Sequence, residues 1–173
     1  MIAKAKTIAE KLGLQPHPEG GYFKEVYRAE DKIEMAVLPK RFSGDRNFCT
    51  SIYFMLAGND KSHFHRIQSD EIWHFYSGTA LMLHRIDATG NYSRIKIGND
   101  VLAGETPQAV IPHGNWFAAE VEVKDSYALV GCTVSPGFNF ADFELAEQKD
   151  LCDKFPKHSD MIRRFTKECV TKP

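Results

Sequence analysis

The sequence predicts a single all-β domain, a sandwich or closed barrel, with a short helix before it and helices after it. Three observations point there. The apolar stretches after Gly20 are short and rich in β-branched and aromatic residues. Turn residues punctuate them at Gly58-Asn59-Asp60, Ser77-Gly78, Thr89-Gly90-Asn91, Gly98-Asn99-Asp100 and His113-Gly114-Asn115. Nothing between successive strands has the length or periodicity of the helices an α/β fold requires.

Residues 2–12 place Ile2, Ala5, Ile8, Ala9 and Leu12 at helical spacing, and Gly13 follows as a C-terminal cap. This helix is expected to pack against one edge of the fold. Strands are then expected at Tyr22–Arg28, Thr50–Ala57, Ile72–Tyr76, Thr79–Ile86, Tyr92–Ile97, Gln108–Ile111, Trp116–Val121 and Tyr127–Val134. After Ser135-Pro136-Gly137 the pattern returns to helix, with Phe143, Leu145, Ala146 and Leu151, then Met161, Ile162 and Phe165 beyond Pro156, and Ser159 as a cap. The domain therefore covers 1–173, the barrel about 20–135 and the helical tail about 141–168.

The chain has 173 residues, 43% of them hydrophobic and 26% charged, which suits one self-sufficient core. With 22 basic and 23 acidic residues and a formal charge of −1, no overall attraction to nucleic acid or anionic membrane is expected. Arg163, Arg164 and Lys167 make only a short basic face on the last helix. No apolar run reaches the ~20 residues that span a bilayer, and the N-terminus lacks a signal-like apolar core. Cys49, Cys132, Cys152 and Cys169 form no CxxC pair and read as small buried side chains, so a reducing cytoplasm is the expected compartment.

The most informative stretch is Ser62-His63-Phe64-His65-Arg66-Ile67-Gln68-Ser69-Asp70-Glu71-Ile72-Trp73-His74-Phe75-Tyr76-Ser77-Gly78. Alternation along a strand puts His63 and His65 on one face. Glu71 lies beyond a short loop, on a strand that would return beside them. Two imidazoles and a carboxylate suit a divalent metal with open positions, or a proton-transfer site. Asp70 and Glu71 face opposite sides of their strand, so either could supply the carboxylate.

Here the chain resembles the cupin superfamily, whose first motif runs Gly, His-x-His, Glu, Gly, matched by Gly58, His63, His65, Glu71 and Gly78. By its spacing to Gly78 the resemblance implies Glu71 as the carboxylate, and His74 then faces away with Asp70. The second motif is partly present in Pro112-His113-Gly114, but Phe117 stands where the last metal-binding histidine falls. His17-Pro18-Glu19-Gly20-Gly21-Tyr22, the Ser69–Gly78 segment, and Val130–Phe138 followed by Asp142-Phe143-Glu144-Leu145 are similar to a cupin branch catalogued as a domain of unknown function. The resemblance implies a cupin jelly-roll β-barrel, a homodimer, and a pocket related to those of nucleotide-sugar epimerases.

Site expectations follow. His63, His65 and Glu71 are the candidate catalytic residues and an incomplete metal set for a weakly bound divalent ion. Trp73, His74, Glu19, Tyr22, Trp116 and Phe117 are candidate ligand contacts, each with an ordinary structural reading beside it: the aromatics as core, Pro18-Glu19-Gly20-Gly21 as a turn. Three functions are compatible with these residues. One is an isomerase or epimerase acting on a small polar metabolite such as a sugar or sugar nucleotide, with His65 or His63 as base and Glu71 orienting it. The second is a metal-dependent oxygenase or lyase, and the third a non-catalytic metabolite-binding protein.

Overall fold

The computed structural model describes residues 2–167. Cys169 and residue 168 of the expected tail lie outside them. Helix α1 (Ala3–Leu12) ends as its sequence predicts, with Gly13 in the left-handed region at φ 66° and its N–H turned back on the carbonyls of Ala9 and Glu10. Strands follow as β1 (Gln15–Pro16), β2 (Tyr22–Arg28), β3 (Lys32–Ile33), β4 (Arg46–Asn47), β5 (Thr50–Ala57), β6 (Lys61–Arg66) and β7 (Asp70–Gly78). Then come β8 (Leu81–Ile86), β9 (Tyr92–Ile97), β10 (Gln108–Ile111), β11 (Trp116–Val121), β12 (Tyr127–Ser135) and β13 (Glu144–Leu145), and helices α2 (Gln148–Lys154) and α3 (Ser159–Arg164).

The strands form a six-stranded sheet in the order β1-β2-β5-β12-β7-β10 and a five-stranded sheet in the order β13-β6-β11-β8-β9, with β3 and β4 paired separately. Neighbours within both sheets are antiparallel. Of the sandwich and closed barrel that the sequence allows, the described residues form the former: the two large sheets are not hydrogen-bonded into the closed barrel that the resemblance implies. They face each other as a jelly-roll sandwich. No helix among the described residues is long and apolar enough to cross a membrane.

Period-two alternation divides the side chains among three cores. Phe54, Leu56, Trp73, Leu83, Phe117, Val130 and Cys132 point between the sheets. Met55, Ala57, Tyr127 and Leu129 point the other way, onto Ala5 and Ala9 of α1. Helix α1 thus covers the outer face of the six-stranded sheet rather than an edge, because three adjacent strands leave apolar positions there. Phe64, Ile86, Trp116 and Ala118 form the corresponding outer face of the five-stranded sheet, closed by Leu151, Phe155, Ile162 and Phe165.

Two expectations in the tail are corrected. Glu144 and Leu145 do not begin a helix; they pair with Arg66 and His65 and supply backbone partners to the free edge of β6. Ser159 does not cap α3 but opens it, and its hydroxyl donates instead to the carbonyl of Pro156.

Candidate functional site

The site begins with a close approach of two chain segments. At Gly20, φ is 110° and a Cβ would overlap the carbonyl oxygen of Lys61, so only glycine lets the His17–Gly21 turn lie against β6. The carbonyl of Glu19 then accepts from the His63 N–H at 2.8 Å and from His63 Nδ1 at 2.6 Å. Its carboxylate enters the sandwich, where it accepts from Ser62 Oγ at 2.7 Å and meets His65 Nε2 at 3.0 Å.

His65 is held at both ring nitrogens, for Nδ1 donates to the carbonyl of His63 at 2.7 Å. A carbonyl and a carboxylate can only accept, so both nitrogens must carry protons and the ring is an imidazolium. Burial opposes that charge. The charge and hydrogen bond of Glu19, with the His63 carbonyl, outweigh it and raise the imidazole above its ordinary pKa. Glu19 shifts the other way: burial works to raise it, but the charge and hydrogen bond of His65, aided by His17 and Ser62, hold it below the ordinary carboxylate. Removing the hydroxyl of Ser62 should cost about 1.5–3 kcal/mol, the range for hydrogen bonds to charged groups. Urea denaturation of Ser62→Ala measures it, and a change under about 0.5 kcal/mol would contradict the bond.

The expected convergence of His63 and His65 on one face is not found. Along the β11–β6 pair, Phe117 faces His65 but Ala119 already faces Ser62, so two steps on β11 span three on β6. This bulge breaks the alternation. Ser62, not His63, shares the inward face with His65, and His63 lies half-buried outside the cavity lining.

Opposite His65, on the six-stranded sheet, Glu71 and Trp73 of β7 point inward beside Cys132 of β12. The choice of Glu71 over Asp70 agrees with the structure. Asp70 faces solvent and accepts from the His113 N–H at 2.8 Å and Nδ1 at 3.0 Å. Glu71 is 7% exposed and is raised to about 7, first by burial and then by the charge of Glu19, against the pull of His65, Cys132 and Trp73. It forms no ion pair with His65, whose carboxylate partner is Glu19. The orienting role expected of Glu71 thus falls to Glu19. Trp73 Nε1 is buried without a hydrogen-bond partner among the described residues.

Of the expected ligand contacts, Glu19 and Trp73 line the cavity. Phe117 is fully buried behind it, its ring 4.0 Å from that of His65. Tyr22 packs toward α1, Trp116 toward the C-terminal helices, and His74 lies within 3.4 Å of Thr133 Oγ1 on the outer face, so none of the three lines the cavity. His17, Glu25, Arg28, Cys132 and the aromatics Phe23, Phe54, Phe138, Phe140 and Phe143 do line it, and were not among the expected contacts. The signal for His17 and Phe138 was their place in the blocks quoted above for their similarity to a cupin branch. In Phe138–Phe143 the sequence reads as a turn and a helix start, which concealed a wall.

These residues do not fit the metal of the wider cupin fold. His63 lies outside, both nitrogens of His65 are committed, and Phe117 offers no donor. Among the described residues, no group of three or more His, Cys, Asp or Glu is placed to hold an ion. The cavity encloses about 270 Å³.

A family model described as Cupin superfamily (DUF985) matches residues 6–146. An uncharacterized protein of Saccharomyces cerevisiae is 30% identical over 143 residues, 78% of this chain and 71% of that protein. Among solved structures, a protein of Shewanella oneidensis aligns at 37% identity and TM-score 0.83 over 94% of this chain and 97% of its own. A hypothetical protein from Leishmania major aligns at 35% and 0.86, over 95% and 99%. Oxalate decarboxylase from Bacillus subtilis shares the fold at 14% identity and TM-score 0.53, over 87% of this chain and 36% of the enzyme.

Proposed function

Because the chain belongs to the cupin superfamily, in the family described as DUF985, we propose that it is a small-molecule isomerase whose single acid–base group is Glu71. The observation that carries this reading is a buried, inward-facing carboxyl that titrates at about 7 across the cavity from a fixed imidazolium. A group with that pKa is divided between its two forms at neutral pH, the condition under which it can both take and return a proton.

The other titratable groups in the interior are poorly suited to that exchange. His65 has a partner on each nitrogen. Burial and the charge of Glu71 keep the Cys132 thiol protonated. Burial lowers His17 despite Glu19, so the ring is neutral and its Nδ1 accepts the Glu19 N–H at 3.3 Å. One base favours a shift of a proton between neighbouring atoms of the substrate. Glu71 takes the proton from a carbon that bears a hydroxyl, and the C–H electron pair passes to the adjacent carbonyl oxygen. The proton on Glu71 exchanges with solvent. Glu71 then protonates the former carbonyl carbon, while the hydroxyl proton passes to the former carbonyl oxygen and a new carbonyl forms. Among the described residues of the lining, the neutral His17 is the other candidate base, and its Nδ1 is occupied by the Glu19 N–H.

Deuterium transfer tests this directly. The protein incubated in D₂O with a pool of small aldehydes, ketones and hydroxy compounds should place deuterium on carbon in one of them, read by mass spectrometry. Glu71→Gln should not. Labelling that persists in Glu71→Gln, or a metabolite that co-purifies and is returned unlabelled, would leave a binding protein without this chemistry.

A further inference from the structure

We infer that Glu25 makes the cavity select against anions: by clamping Arg28 it leaves no free positive charge, so the bound molecule carries neither phosphate nor carboxylate. The inference rests on reading this cavity as the functional pocket, and it names the charge class of what enters.

The charged groups that line the cavity are Glu25 and Arg28 of β2, Glu19 of the preceding turn, His65 of β6 and Glu71 of β7. Each cation has a carboxylate. His65 meets Glu19 at 3.0 Å. Arg28 donates from Nε to Glu25 Oε1 at 3.0 Å and from Nη2 to Glu25 Oε2 at 2.7 Å, the bidentate geometry that a carboxylate or phosphate ligand would otherwise occupy. Its Nη1 is also engaged, with Asn47 Oδ1 at 2.8 Å and the carbonyl of Phe138 at 3.1 Å. Once these pairs are formed, Glu71 is the surplus group, and its charge is negative when it ionises.

An arginine at the mouth of a pocket ordinarily reads as an anion receptor. Here the arginine side chain, 37% exposed, is paired in bidentate fashion with its own strand neighbour three positions away, itself 40% exposed, and its further bond to the Phe138 carbonyl ties β2 to the Phe138–Phe143 wall. The rest of the lining is aromatic, with Phe23, Phe54, Trp73 and Phe143 offering flat apolar faces. At about 270 Å³ the space lies near the lower end for small-molecule pockets. The chemistry that fits is a small, uncharged metabolite with a flat apolar part and carbonyl or hydroxyl groups for the Glu71 end.

Benzyl alcohol and benzoate share a ring and differ in charge, which makes them suitable probes. Binding is measured by NMR titration at about pH 5.5, where Glu71 is mostly protonated and only the Glu25–Arg28 pair distinguishes the probes. The intact protein should bind the alcohol at least about tenfold more tightly than benzoate. Glu25→Gln frees Arg28 and should raise benzoate affinity roughly tenfold, in a salt-sensitive manner, with the alcohol unchanged. Unchanged alcohol binding also shows that the cavity is intact in the variant. Equal binding of the two probes by the intact protein, an unchanged ratio in Glu25→Gln, or no binding of either probe would overturn the inference. Because no turnover is involved, the isomerase reading can fail on deuterium transfer while this selectivity stands, and the reverse.

Discussion

Replacing Glu19 with alanine is expected to destabilise the fold by about 3–5 kcal/mol, the range for removing one partner of a buried ion pair. The substitution strands two groups at once. His65 keeps its Nδ1 bond to the His63 carbonyl but loses the acceptor on Nε2, and the Ser62 hydroxyl loses its partner in the same place. With the carboxylate gone, only the His63 carbonyl and the charge of Glu71 oppose burial, and the balance moves toward the neutral ring. The backbone contacts between Glu19 and His63 survive, because they use the main-chain carbonyl and not the side chain.

The pH profile separates this cause from a general loss of packing. His65 is raised from 6.5, so its contribution is complete below 6.5 and disappears as pH rises through the higher folded value. Glu19 is lowered from 4.5, so its contribution is complete above 4.5 and disappears as pH falls through the lower folded value. The pair therefore stabilises most between 4.5 and 6.5. Denaturant midpoints of the alanine variant should fall furthest behind in that window. A loss under about 1 kcal/mol with an unchanged profile would mean that the pair does not hold the turn to β6.

The fold was legible where strands are long and bounded by turn residues. Seven-residue β2 and nine-residue β12 carry enough aromatic and β-branched residues to be recognised, and the Gly13 cap follows from local chemistry alone. The two-residue strands β1, β3, β4 and β13 carry too few residues for any period, and Leu145 shows the consequence. Its place is decided by the open edge of β6, a fact about distant chain. The candidate site was legible in half. Glu71 was favoured by the cupin motif's spacing to Gly78, and Trp73, named as core or ligand contact, shares its face of β7. Counting failed at His63 for a specific reason: a bulge moves every side chain beyond it to the other face, and the register of β6 is set by its partner β11. Glu19 was recognised as a turn residue near the pocket. Its pairing with His65 joins positions far apart in sequence, which no local pattern encodes.

Replacing Glu71 with glutamine should remove deuterium transfer by about 10²–10⁴-fold, the usual contribution of a general acid–base group, and at the same time make the protein more stable above neutral pH. The sign follows from the direction of the shift. Glu71 binds its proton more tightly when folded, at about 7 against 4.5. The stability due to that preference is fully present below 4.5 and lost as pH rises through about 7. Above that range the native protein carries an ionised carboxyl in a buried site, and the shift corresponds to roughly 3 kcal/mol relative to an isosteric neutral amide. Glutamine at this position should therefore match the native protein in denaturation at about pH 4.5 and exceed it by up to that amount near pH 8. The crossover matters more than either end. A packing defect would lower stability at both pH values, and a carboxyl that already ionises freely would give no pH-dependent gap. Among the described residues of the cavity lining, Glu71 is the carboxyl that no ion pair claims, which leaves its near-neutral proton available for transfer.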